Sequence, residues 1–185
     1  MLDFVNKLLA FGTILSQLFI VAVVLYFLLR KSFPKIPVAI KELFAWTARH
    51  GLLLAFLASL AASLASLFYS NIVGFEPCEL CWYQRIFMYP LAVILGIAYF
   101  NRDNNIFRYA MPLAIIGFII SLYQNGIYYN MGGLSAICDF SGIGVSCTKR
   151  YIFEFGYITI PIMALTAFVL VITLLVLKKM DIKNS

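Results

Sequence analysis

Two cysteines in a C-x-x-C spacing, Cys78 and Cys81, stand between two long apolar runs of this 185-residue chain, and Arg85 follows Cys81 by one helical turn. Thiols at this spacing can close a small disulfide, exchange it with another dithiol, or bind a metal ion. The spacing does not choose among these uses. The choice depends on where the chain places the two thiols.

The composition is that of an integral membrane protein. Hydrophobic residues make up 63% of the chain and charged residues only 12%, which excludes an ordinary soluble domain. The net charge of +6 comes from basic residues scattered singly between apolar runs, so we do not expect nucleic-acid binding, which needs a basic stripe. The composition predicts an all-α membrane protein embedded in lipid.

Five apolar runs are long enough to cross a bilayer as helices. We interpret the first as a retained span, because its apolar part is long for a signal peptide, it has no A-x-A-like cleavage site, and its positive flank follows it. A short interfacial helix is expected over residues 38–48. The predicted spans cover residues 8–29, 51–70, 82–100, 109–128 and 157–177.

The basic residues predict the topology. Ten of the 14 Lys and Arg residues lie in three segments, 30–50, 101–108 and 178–185. By the positive-inside rule these segments face the cytoplasm and both cysteine-containing loops lie outside, where disulfides persist. We therefore divide the chain into an N-terminal helix with its basic loop (1–50), a four-helix bundle with two extracytoplasmic cysteine loops (51–177) and a basic tail (178–185).

The four cysteines, Cys78, Cys81, Cys138 and Cys147, allow more than one use. Two structural disulfides in a membrane scaffold are one possibility. A zinc site is disfavoured, because eight residues separate the second pair and the only histidine, His50, lies on the predicted cytoplasmic side. Redox exchange is favoured, because a C-x-x-C disulfide closes too small a loop to stabilise the chain much.

Arg85 strengthens the redox hypothesis. Cys78 and Cys81 lie at the start of a predicted span, where unpaired backbone amides and the helix dipole favour a thiolate. Arg85 lies on the same helix face one turn deeper, and a charge at that depth marks a functional site. An arginine that only snorkels to the head groups is the alternative. If it faces the bundle interior, it can stabilise a thiolate and an oxyanion of a lipid-soluble quinone, with Gln84 beside it.

The second cysteine loop contains two glycine-rich stretches. Gly132 and Gly133 precede Cys138, and Gly142 and Gly144 lie between Cys138 and Cys147. Glycines at these places predict flexible joints. The second cysteine pair is therefore expected to move towards another disulfide and away from it.

Two runs resemble the DsbB family of disulfide bond formation proteins, especially its BdbC-like branch. The resemblance covers about residues 51–177 and implies a four-helix transmembrane bundle in the bacterial cytoplasmic (inner) membrane. It also implies that the protein oxidises a thioredoxin-fold, DsbA-like thiol oxidase and passes the electrons to ubiquinone or menaquinone. The runs are Pro77-Cys78-Glu79-Leu80-Cys81-Trp82-Tyr83-Gln84-Arg85-Ile86 with Met88-Tyr89-Pro90-Leu91, and Tyr157-Ile158-Thr159-Ile160-Pro161.

The resemblance also implies roles for individual residues. Cys81 would be the thiolate next to the quinone, and Arg85 would stabilise the quinone oxyanion. Cys78 would exchange with Cys147, while Cys138 would form the mixed disulfide with the partner. Each of these steps is the attack of a thiolate on a disulfide.

The chain departs from the familiar proteobacterial members in four ways. It has an extra N-terminal span, it has Gln84 where those members have a glutamate, it lacks their histidine near the end of the 109–128 span, and its second cysteine pair is more closely spaced. Gln124 and Asn125 are polar substitutes there, and Gln84 and Gln124 are predicted to bind the quinone. An enzyme similar to vitamin K epoxide reductase is the alternative, but its C-x-x-C motif lies near the end of a later span.

Overall fold

The computed structural model describes residues 2–32, 38–103, 105–129 and 151–184, and these residues are mostly helical. A π-helical turn, Phe68–Ile72, continues the third helix. The described residues form six α-helices, namely α1 (Leu2–Ser32), α2 (Val38–Arg49), α3 (Gly51–Leu67), α4 (Glu79–Asn101), α5 (Phe107–Tyr128) and α6 (Ile160–Asn184).

Five of the helices are long and apolar enough to cross a membrane, which confirms the predicted all-α membrane protein. The short helix predicted between the first two spans is α2, which ends one residue later than expected. The first span begins earlier than predicted. The spans cover Leu2–Leu29, Gly51–Ile72, Glu79–Asn101, Phe107–Tyr128 and Ile160–Ile182.

The last span begins later than the sequence predicted. We expected a helix from residue 157, whereas α6 begins at Ile160. Glu154 and Ile158 form an antiparallel bridge in which each N–H donates to the other carbonyl at 2.9 Å. Gly156, between them, has a φ of 79°. The difference arises because residues 157–159 run directly into the apolar residues of α6, and hydropathy alone does not show where the helix begins.

Helices α3 to α6 form a closed four-helix bundle. α3 packs against α4 and α6, and α5 packs against the same two helices, while α1 and α2 lie outside the bundle and pack mainly on α6. The arrangement agrees with the bundle that the family resemblance implies. Its core is apolar and fully buried, with Leu91, Leu95, Ala114, Phe168, Val171 and Leu175 at its centre.

Gly117 allows α5 and α6 to approach closely. A Cβ atom at Gly117 would collide with the ring of Phe168 on α6. We therefore expect Gly117→Ala to lower the free energy of unfolding by about 1–3 kcal/mol, because the core has no room for the added methyl group. Gly126→Ala on the same helix is the matched control, since a Cβ there meets nothing within 4 Å. Thermal unfolding in detergent compares the two variants, and equal midpoints would contradict this account.

Candidate functional site

The two thiols of the C-x-x-C motif lie at the start of α4. Gly74, with a φ of 80°, turns the chain after the π-helical turn. Cys78 is the N-cap residue of α4 and has an extended backbone. The Sγ atoms of Cys78 and Cys81 lie 2.9 Å apart, with Cys78 buried and Cys81 half-buried. The two sulfurs are therefore direct neighbours at the N-terminal end of a membrane-spanning helix.

The surroundings of Cys78 favour its protonated form. The hydrogen bond with the Cys81 sulfur and, after it, burial of the side chain raise the pKa of the Cys78 thiol. Cys78 therefore stays protonated at neutral pH when the pair is reduced. A protonated neighbour can donate its hydrogen to the other sulfur, which is what the predicted thiolate at Cys81 requires.

A buried glutamine of α5 contacts both sulfurs. Gln124 Nε2 donates to Cys81 Sγ at 3.2 Å and to Cys78 Sγ at 3.3 Å, and only 1% of this side chain is exposed. Its Oε1 accepts a hydrogen bond from Nε2 of Gln84, which is also buried. The sequence predicted both glutamines as quinone ligands. In the structure Gln124 binds the sulfurs and Gln84 holds Gln124 in place.

Gln124→Leu is expected to slow thiol exchange at the C-x-x-C pair by about 10–100-fold. A hydrogen bond to a charged group contributes about 1.5–3 kcal/mol, and each 1.4 kcal/mol is about tenfold in rate. The measurement is the rate at which a small dithiol reduces the pair, followed by quenched alkylation. Ser121→Ala is the matched control, because Ser121 is fully buried on the same helix and donates to the Gly117 carbonyl. Equal rates in the two variants would show that Gln124 does not assist thiol exchange.

Arg85 lies one turn further along α4 and points towards α3. Its Nε donates to Ser66 Oγ at 2.9 Å and its Nη2 donates to the Ser66 carbonyl at 3.2 Å. The guanidinium also lies 5.0 Å from the ring centroid of Trp82, within the range of a cation–π interaction. These contacts hold the charge between α3 and α4, which favours the interior position over a purely snorkelling arginine.

A cavity of about 340 Å³ lies beside the thiols and is bordered by residues of α1, α3, α4, α5 and α6. This volume is within the range of small-molecule sites in proteins. Cys78, Cys81, Gln84, Arg85 and Gln124 all border the cavity, so the predicted site residues that the structure describes converge on one space. Much of the wall is apolar and small, including Ala58, Ala61, Ala62, Ala65, Ala164 and Ala167.

Two hydroxyl groups in the cavity wall have no hydrogen-bond partner among the described residues. They are Tyr89 Oη on α4 and Thr159 Oγ1 just before α6, and both atoms are buried. An unpaired buried hydroxyl costs about 1–3 kcal/mol, so both residues are candidate hydrogen-bond donors to a ligand at this site. Sequence reasoning did not single out either residue. The one available signal was that both stand in the runs that carry the family resemblance.

The second cysteine pair, Cys138 and Cys147, lies outside the described residues. The described chain resumes at Tyr151, whose ring stacks on Phe75 with centroids 4.5 Å apart. The Tyr151 hydroxyl donates to the Glu76 carbonyl at 3.2 Å. Phe75 and Glu76 lie three and two residues before Cys78. The Tyr151 contacts therefore hold the first described residue after the second cysteine pair beside the C-x-x-C motif.

Comparison with known proteins identifies the family to which this chain belongs. Residues 48–178 match the family described as disulfide bond formation protein DsbB. The chain is 49% identical to disulfide bond formation protein C of Bacillus subtilis over 121 residues, which is 65% of this chain and 86% of that protein. It is 46% identical to a probable disulfide formation protein C of Bacillus cereus over 141 residues, 74% and 94% of the two chains. It is 43% identical to a probable disulfide formation protein of Chlamydia pneumoniae over 130 residues, 70% and 92% of the two chains. No solved structure matches the chain significantly.

Proposed function

Because this chain belongs to the DsbB family of disulfide bond formation proteins, we propose that it is a membrane thiol:quinone oxidoreductase that reoxidises a thioredoxin-fold, DsbA-like oxidase. Its family and its five long apolar helices already show that it is a multi-pass membrane protein that acts in disulfide formation. One observation supports the transfer of electrons to a quinone most directly. Cys81, Arg85 and two residues with unpartnered hydroxyls, Tyr89 and Thr159, all border one cavity between membrane-spanning helices.

The Cys78–Cys81 pair cycles between a disulfide and a dithiol. An incoming dithiol attacks the disulfide, becomes a disulfide itself and leaves two electrons and two protons on the pair. The pair then re-forms its S–S bond by giving up the same two electrons and two protons to an acceptor in the membrane. Gln124 assists both half-reactions, because its amide stabilises negative charge on either sulfur.

A quinone supplies, when bound, an acceptor of two electrons and two protons that is soluble in the bilayer. The residues present fit such a group. The small apolar side chains of α3 leave space for a flat ring, and Arg85 would hold an oxygen by a charge-assisted hydrogen bond. Tyr89 and Thr159 would donate to further polar atoms of the ring. Ubiquinone and menaquinone both satisfy this chemistry.

Exchange with the partner is proposed to use the second cysteine loop. Cys138 would form the mixed disulfide with the partner's C-x-x-C motif, and Cys147 would exchange with Cys78. The stacking of Tyr151 on Phe75 supports the second step, because it fastens the end of that loop beside the C-x-x-C motif. In every exchange one S–S bond forms as another breaks, so no electrons are lost on the way to the membrane.

We place the protein in the bacterial cytoplasmic (inner) membrane with both cysteine loops outside. The positive-inside rule supports this orientation, since most of the basic residues flank the opposite ends of the spans. Trp82 and Tyr83, at the cysteine end of α4, are 55% and 51% exposed. Large exposed aromatic side chains at a helix end are typical of the membrane–water interface.

The test combines purified protein, a reduced DsbA-like partner and a short-chain quinone. We expect partner disulfide and quinol to form in equal amounts, with either a ubiquinone or a menaquinone analogue as acceptor. The partner is followed by alkylation of its thiols and the quinone by its ultraviolet absorbance. A scaffold with two static disulfides would oxidise no partner with either quinone, and that result would overturn the proposal.

A further inference from the structure

The N-terminal helix α1 is a part of the chain that the family match does not cover. The family match covers residues 48–178, so α1 lies entirely outside it. Most large side chains of α1 are exposed, among them Phe11, Leu15 and Leu18. The helix nevertheless forms one wall of the cavity that contains the thiols.

Among the described residues, three side-chain hydrogen bonds to the rest of the protein fix the orientation of α1. Tyr69 Oη donates to Asn6 Oδ1 at 2.9 Å. Gln17 uses both ends of its amide, accepting from Tyr157 Oη at 2.8 Å and donating to Thr166 Oγ1 at 3.1 Å. Asn6 and Gln17 are about three helical turns apart and therefore lie on one face. Unpaired polar side chains are costly inside a bilayer, so these bonds keep that face turned towards the bundle.

The side of α1 that borders the cavity consists partly of small residues. Gly12, Thr13 and Ser16 lie there, and a Cβ at Gly12 would meet nothing within 4 Å. The hydroxyls of Thr13 and Ser16 are satisfied within the helix, where they donate to the carbonyls of Leu9 and Gly12 at 2.8 Å. This side of α1 therefore offers space rather than hydrogen bonds to a ligand.

The cavity separates α1 from α3. In the described part of the chain α1 packs mainly on α6 and makes little direct contact with α3, while both helices line the cavity. Residues of α1 and the alanine-rich side of α3 are therefore two walls of the same space. A helix in this position can affect how a lipid-soluble molecule enters and how long it stays.

We propose that α1 is the lipid-side wall of the quinone site, and that Gly12 and Ser16 set the room available to the ring. This inference rests on the proposed function, because it takes the quinone as the occupant of the cavity. The polar groups that would recognise the ring are on α4 and before α6, as the unpartnered Tyr89 and Thr159 hydroxyls indicate. α1 shapes the cavity and retains the quinone in it, so its effect falls mainly on the rate at which quinone dissociates.

The test measures bound quinone rather than turnover. Gly12→Leu and Ser16→Leu place bulk in the cavity and are expected to lower the quinone that copurifies with the protein at least about tenfold, since overpacking of this size costs about one factor of ten or more in affinity. Leu15→Phe and Leu18→Phe are the matched controls, because these positions are 51% and 61% exposed and do not border the cavity. They are expected to retain the wild-type content.

A second measurement needs no variant. Illumination of the wild-type protein with a photoreactive short-chain benzoquinone is expected to label a peptide within residues 8–16, and excess unmodified quinone should suppress the label. Wild-type protein that neither retains nor is labelled by quinone would overturn the proposed function itself. Quinone that is retained equally by the cavity variants and the controls, without labelling of α1, would overturn only the role of α1.

Discussion

Replacing Cys81 with serine is expected to lower quinone-dependent oxidation of the partner at least about 10³-fold, the scale seen when the nucleophile of a catalytic unit is removed. A serine hydroxyl cannot form an S–S bond, so the pair can no longer pass electrons to the cavity. Cys78 would keep its thiol, but without a neighbouring sulfur at 2.9 Å it has no partner with which to regenerate a disulfide. Turnover is measured by quinone absorbance and the redox state of the remaining cysteines by alkylation.

The fold should survive the Cys81→Ser change. Serine is close to cysteine in size, and the contacts of Cys81 are to the Cys78 sulfur and the Gln124 amide. The thermal unfolding midpoint of the Cys81→Ser variant is expected to stay near that of the wild type. Tyr83→Phe, at an exposed position of the same helix, should retain full turnover. A Cys81→Ser protein that still oxidises the partner at the wild-type rate would contradict the proposed route through this pair.

Replacing Arg85 with alanine is expected to slow quinone reduction by about 10²–10³-fold, as happens when one donor to a developing oxyanion is removed. Reduction of the C-x-x-C disulfide by the partner should change much less, because the hydrogen bonds to the two sulfurs come from Gln124. Single-turnover experiments separate the steps, with partner and protein mixed first and quinone added second.

Two further variants separate charge from geometry at Arg85. Arg85→Lys keeps the charge but loses the forked guanidinium, so we expect a rate between those of the wild type and the alanine variant. Ser66→Ala removes the Oγ that accepts from Nε and leaves the Ser66 carbonyl that accepts from Nη2. The Ser66→Ala variant tests whether the position of the guanidinium matters as well as its charge. It should slow quinone reduction less than Arg85→Ala does. Equal slowing of the partner and quinone steps in Arg85→Ala would argue against a role at the quinone.

Much of the fold could be predicted because it depends on local properties of the chain. Hydropathy and the helical rise of about 1.5 Å per residue locate membrane spans without knowledge of their neighbours. The same reasoning placed Cys78 and Cys81 at the start of α4 and Arg85 one turn further on, as found. It did not predict the start of α6, because Tyr157 and Ile158 run directly into the apolar residues of that helix, while Ile158 pairs with Glu154 across a turn.

The contacts of the site depend on how the helices are rotated and packed. Gln124 is more than 40 residues from either sulfur, and nothing in its local sequence distinguishes a ligand of the thiols from a ligand of the quinone. Ser66 as the partner of Arg85 was likewise not predictable, since α3 contains several serines at similar spacings. Helical periodicity relates residues of one helix to each other, but it does not say which face meets which neighbour.

The sequence by itself determined the membrane class, the helical spans, the family resemblance and the position of the reactive C-x-x-C motif at a helix start. The tertiary structure alone decided that Gln124 meets both sulfurs, that Arg85 is bound by Ser66, and that α1 borders a cavity that α3, α4, α5 and α6 also line. The physical reason is that composition and periodicity act over a few residues. A cavity, in contrast, exists only where side chains from distant parts of the chain fail to fill the space between their helices.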